Sequence, residues 1–235
     1  MEKRIADNCI IHSAVISVCV RYALSIYLTE FGNYFRRMEV FPVDTVSIPQ
    51  WTSQGVLSPF NPVAPTQTDR SPYLVTLTDL ILRYATSEDR TQILHGFLDF
   101  RAKLHSAHID NGFQWIDGSF LEHIEMIEER SPRDIDVITF FHPPNGRNQA
   151  DMVHDSPRLF NPVHTKADYH VDAYFVQLNV DNPEILIEIS TYWYSLWSHR
   201  RNGQWKGYLQ IDLSSADDQV AQVNLERIMY SGGQP

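Results

Sequence analysis

Cysteine is scarce in this sequence: two residues, Cys9 and Cys19, among 235. Two thiols near one end make neither a disulfide framework nor a zinc site, and they fit a reducing, cytoplasmic setting. Positive charge is also short. Nineteen Lys and Arg stand against 29 Asp and Glu, giving a formal net charge of −10. That balance leaves no electrostatic footprint for long nucleic acid, although a local basic patch can still hold a triphosphate or an RNA end. Internal repeats and low-complexity tracts are missing, which excludes repeat architectures.

Long apolar runs are missing too, save one. Cys9 to Leu28 spans twenty residues, enough to cross a bilayer, but it carries Arg21 near its middle. A central arginine costs roughly 2.5–3.5 kcal/mol on insertion scales, so an amphipathic helix lying on the domain is the preferred reading and no membrane partner is expected. No small-residue cleavage site follows cleanly, which disfavours a signal peptide. The stretch Met38-Glu39-Val40-Phe41-Pro42 reads like the start of a new unit. Residues 1–37 are therefore read as a helical extension, with Met38 as an alternative natural start.

What is present suits a chain that buries a real core: 43% of residues are hydrophobic and 20% charged. Residues 38–72 form an irregular arm, because six prolines (42, 49, 59, 62, 65 and 72) fix φ and withhold amide donors. Trp51, Val56, Leu57 and Phe60 are expected to pin that arm to the domain of residues 73–235. Leu77, Leu80, Ile81 and Tyr84 share a helical face, and Ser87-Glu88-Asp89 opens a second helix with Ser87 as its cap. The period then changes. Phe113–Ile116 and Asp134–Phe141 alternate like strands, with a short helix or ordered loop over Phe120–Glu129 between them. Residues 147–167 read as a helix and a loop, Tyr169–Val180 and Gly207–Leu213 as strands, and Pro183–Trp197 and Asp217–Tyr230 as helices. The aromatic cluster Tyr192, Trp193, Tyr194 and Trp197 is read as core rather than as a platform for a base.

The chemistry sits in Trp115-Ile116-Asp117-Gly118-Ser119, followed after fourteen residues by Asp134-Ile135-Asp136. Strand alternation puts Asp134 and Asp136 on one face, about 7 Å apart. Two carboxylates so placed can converge on a divalent cation, and oxygen-only donors favour Mg²⁺ or Mn²⁺. A glycine after a strand lets backbone approach a phosphate, and the Ser119 hydroxyl can donate to it. Asp172 is the candidate third carboxylate, with Asp168 and Asp212 in reserve. Arg200, Arg201 and Lys206 could reach a triphosphate; the blander reading of Arg200 and Arg201 is cations complementing a helix C-terminus. Glu122, Glu125, Glu128 and Glu129 read as a solvated face. His154, His164 and His170 match no zinc spacing, but His170 would share a strand face with Asp172.

This pattern resembles the nucleotidyltransferase superfamily motif, a Gly-Ser after one strand and Asp-x-Asp on the next. More narrowly it resembles an uncharacterised bacterial family of nucleotidyltransferase-like proteins of the DUF6932 kind. Phe113–Phe120, Ser131–Val137, Val171–Phe175 and Gly203–Tyr208 carry that likeness. The resemblance implies an α+β fold, a nucleotidyltransferase-like core with a small mixed β-sheet flanked by helices. It also implies transfer of a nucleoside monophosphate from an NTP to an acceptor hydroxyl, the acceptor being a protein, an RNA end or a small molecule. Gly118, Ser119 and Lys206 would meet the nucleotide, and Asp134, Asp136 and Asp172 the metal. The alternatives are a phosphohydrolase using the same acids, or a catalytically inactive binding module, for example in a toxin–antitoxin or phage-defence system.

Overall fold

The computed structural model describes residues 48–231. The readings of residues 1–37 and of Met38 as a start lie outside them. Among the described residues, no helix is long and apolar enough to cross a membrane.

The chain enters as an irregular strip without helix or strand up to Tyr73. Val56 and Leu57 are buried, and Trp51 donates its indole N–H to the Leu121 carbonyl at 2.7 Å while stacking on His123. Phe60 stays 37% exposed, so it does not serve as the fourth pin. After β1 (Tyr73–Leu74), α1 (Leu77–Tyr84) is set by a reciprocal cap: Thr76 accepts from the Asp79 amide, and Asp79 accepts from the Thr76 amide. Its buried residues are Leu77, Leu80, Ile81 and Tyr84, as the helical spacing dictates. Then α2 (Glu88–Ser106), capped by Ser87, runs through the core with Ile93, Leu94, Phe97, Phe100 and Leu104 buried.

Five strands build one open mixed sheet in the order β1-β5-β2-β3-β4, where β2 is Gly112–Asp117, β3 Ile135–Phe141, β4 Val171–Gln177 and β5 Leu209–Asp212. The outer pairs β1–β5 and β3–β4 are parallel, and β5–β2 and β2–β3 are antiparallel. The fold is thus mixed α and β, a small sheet flanked by helices. Inserted between the strands are α3 (Ile124–Glu128), α4 (Gln149–Asp155), α5 (Pro162–Tyr169) and α6 (Pro183–Trp197); α7 (Asp218–Ser231) follows β5. Helix α2 packs on α5, α7 and β4. Gly96 permits the α5 contact, since a Cβ there would stand 2.2 Å from the Tyr169 carbonyl oxygen.

Three stretches differ from their sequence reading. Residues 147–167 hold two helix starts rather than one, each capped by an asparagine, Asn148 and Asn161. The strand expected from Tyr169 begins only at Val171, because Tyr169 ends α5 and His170, at φ 57°, donates its amide back to the Lys166 carbonyl. The last strand loses Gly207, whose amide bonds the Leu57 carbonyl in the arm instead of a neighbouring strand.

The excursion between β2 and β3 is a 3₁₀ turn (Ser119–Leu121) followed by α3. It is held from below by Arg90, which is fully buried. Arg90 donates to both Glu125 oxygens at 2.6 and 2.9 Å and to the Phe120 and Glu122 carbonyls at 2.7 Å each. Burial pushes the Glu125 carboxyl up, but hydrogen bonding and charge from Arg90 outweigh it and hold the group below its ordinary range. Arg90→Met strands those acceptors and is expected to destabilise the protein by about 3 kcal/mol in urea unfolding. Because the Glu125 pKa is lowered on folding, the pair contributes fully above about pH 4.5 and is lost as pH falls through the lowered value. The gap between wild type and variant should therefore shrink in acid.

Candidate active site

The ends of three neighbouring strands bring carboxylates into one row. Asp117 is paired with Asp136 in the β2–β3 ladder, and Asp136 with Asp172 in the β3–β4 ladder. Residues paired directly across a ladder project to the same face, with Cβ atoms about 4.5–5.5 Å apart. Asp134 lies just before β3, two residues from Asp136, and so shares that face. The row opens on a cleft of about 790 Å³, lined also by Gly118, Ser119, Trp193, Arg201 and Lys206.

Crowding and burial show in the acids. Burial raises Asp136 to about 7, and the charges of Asp117, Asp134 and Asp172 push the same way. Asp117 is raised by burial to about 6, with Lys206 opposing the shift. Gly118 makes room for this arrangement. It takes φ 91°, and a Cβ on it would stand 2.7 Å from Asp136 Oδ2. Any other residue would push into the carboxylate as well as strain the backbone.

Cations answer most of the charge. Lys206, nearly buried, sets its ammonium 2.9 Å from Asp117 Oδ1 and 3.1 Å from Glu122 Oε1. Burial works against that ammonium, but the two carboxylates raise its pKa overall. Arg200 joins Glu122 to Glu128, and Arg130 pairs with Glu128. Lys166, in the last turn of α5, lies 2.7 Å from Asp172 Oδ2 and 3.1 Å from Asp134 Oδ2. Among the described residues, no ion pair or hydrogen bond from a cation reaches Asp136.

The structure therefore brings Gly118, Ser119, Asp134, Asp136, Asp172 and Lys206 to one cleft. The reserves stand apart: Asp168 pairs with Arg158, and Asp212 accepts from the Ser214 amide. His170 caps a helix and lines a separate hollow with Arg133, so it is no strand-face neighbour of Asp172. Glu122 and Glu125 are not a solvated face, since each answers a buried cation. Of the aromatic cluster, Trp197 is buried and Trp193 leans on Tyr174, while Tyr192 is 59% exposed. The sequence assigns no site role to Asp117, Glu122 or Lys166. Asp117 could have been given one, because counting back along β2 from Gly118 places it opposite Asp136.

Residues 49–212 match the model of a family described as "Family of unknown function (DUF6932)". The chain belongs to this family. The matched span includes every strand of the sheet and every acid of the row. No curated protein and no solved structure matches the chain.

The donor set suits a hard divalent cation: carboxylate oxygens only, one of them, on Asp136, without a cation of its own. As placed, no three His, Cys, Asp or Glu side chains among the described residues already converge on one point, and Lys166 stands between two of the acids. Because folding raises the Asp136 pKa, the folded state holds its proton more tightly than the unfolded chain. Stability therefore falls as pH rises from about 4 to about 7, and the cost is fully present above that. Asp136→Asn removes it. The variant is expected to be more stable than wild type at pH 8 by about 1–2 kcal/mol after screening, and equal to it near pH 4, in urea melts.

Proposed function

We propose that this protein is a metal-dependent nucleotidyltransferase, moving a nucleoside monophosphate from an NTP to an acceptor hydroxyl. The observation that carries the reading is the paired register of Asp136 and Asp172, with Asp134 beside them, next to the Gly118-Ser119 turn. Asp134, Asp136 and Asp172 would hold Mg²⁺ or Mn²⁺, which supplies charge stabilisation for the transferring phosphoryl group and its leaving pyrophosphate. Gly118 lets the backbone approach the phosphates, and the Ser119 hydroxyl donates to them. The acceptor oxygen bonds to the α-phosphorus while the bond from that phosphorus to the bridging oxygen breaks, and pyrophosphate leaves. The hydroxyl proton passes to the Asp172 carboxylate, the general base. Lys206 is held by Asp117 and Glu122 and would act on the nucleotide through the charge it brings to the cleft rather than as a free donor.

One observation favours a second reading. Lys166 bridges Asp134 and Asp172, as it would in a binding module that keeps the fold and replaces the metal by an ammonium. The two readings part in a transfer assay with α-phosphate-labelled NTPs, Mg²⁺ or Mn²⁺, and cell extract, run beside Asp134→Asn/Asp136→Asn. Nucleotidyl transfer predicts label on protein, RNA or a small molecule with wild type and a loss of at least about a hundredfold in the variant. Absence of label with both, from folded protein, points to the binding module.

A further inference from the structure

Lys166 has no part in the transfer chemistry above, yet its place is well defined. It lies on α5, which Gly96 lets settle against α2, and its ammonium bridges Asp134 and Asp172 at 3.1 and 2.7 Å. The side chain is 46% exposed, so its head rests at the acids while solvent stands beside its stem. We infer that Lys166 is a built-in competitor for the divalent cation: its ammonium occupies the position between Asp134 and Asp172 and leaves it when metal enters. This rests on the metal-dependent reading of the site and adds how that site is regulated.

The physical argument is exclusion. An ammonium offers only donors and cannot ligate a metal, and here it fills the space between Asp134 and Asp172 by engaging the Oδ2 atom of each. A divalent ion drawn to Asp136, the acid left without a cation, would meet a like charge a few ångströms away. Metal binding is therefore weakened for as long as the ammonium stays. The four-carbon stem of lysine allows the movement, and a triphosphate arriving with the metal supplies a new anionic partner for the displaced head. Metal bound together with nucleotide therefore opens the site more readily than metal alone. In their absence the ammonium stays between Asp134 and Asp172 and relieves their mutual repulsion.

The test needs no turnover. Mn²⁺ binding is followed by electron paramagnetic resonance for wild type, Lys166→Met, Lys166→Gln and Asp134→Asn/Asp136→Asn, each checked for folding by circular dichroism. In parallel, modification of Lys166 by an amine acetylating reagent is measured by mass spectrometry with and without Mn²⁺. Removing one positive charge beside the site is expected to tighten Mn²⁺ binding about tenfold in both Lys166 variants. Acetylation of Lys166 should rise several-fold when Mn²⁺ is added to wild type. Folded Lys166 variants that bind Mn²⁺ no more tightly than wild type overturn the inference while leaving the metal site standing. If no form binds millimolar Mn²⁺, or if Asp134→Asn/Asp136→Asn binds as well as wild type, the metal reading fails and this inference with it.

Discussion

Carboxylates from three adjacent strands stand in one row, Asp117 beside Asp136 beside Asp172, and their repulsion is the constraint around which the neighbouring structure is arranged. Like charges at that spacing oppose folding. The chain answers with cations drawn from separate elements. Lys206, just ahead of β5, pairs with Asp117 and the nearby Glu122, and Lys166 on α5 pairs with Asp134 and Asp172. Asp136 at the centre is left to shift its own pKa upward. Such an arrangement costs stability, and functional sites are where such costs persist.

The scaffold holds this row through α2, which carries one buried arginine near each end. Arg90 fixes the excursion after Gly118-Ser119, and Arg101 ties β2, the chain after β5 and α7 together through Gln114, Ser214 and Asp218. Both arginines are nearly fully satisfied, as buried guanidinium groups must be. Through Gly96 the same helix sets where α5, and so Lys166, lies. The turn and the Lys166 counter-charge are thus both placed by one helix.

Much of this was legible in the sequence, for physical reasons. Period-two alternation located β2 and β3, helical spacing located α1 and α2, and the Gly-Ser turn marked where β2 ends. Asp134 and Asp136 followed from alternation alone. The partners were harder, because ladder register and ion pairing join residues far apart in the chain. Lys206 meets Glu122 across 84 positions, and nothing local marks either as buried. Glu122 and Glu125 looked like surface because four acids in eight residues usually are, while the arginine that pairs with Glu125 sits on another helix. Lys166 carried no signal, since a lysine in the last turn of a helix ordinarily serves the dipole.

Asp134, Asp136 and Asp172 are proposed to hold a divalent cation together and so present a nucleoside triphosphate to the Gly118-Ser119 turn. Anomalous diffraction at the manganese edge, from crystals grown with Mn²⁺ and a non-hydrolysable NTP analogue, tests it most directly. With the cation so held, an anomalous peak is expected about 2.0–2.2 Å from oxygens of those three acids, with phosphate oxygens at Ser119 and the Lys166 ammonium withdrawn. A peak elsewhere, or Lys166 still bridging Asp134 and Asp172 with the analogue absent from the cleft, would contradict it.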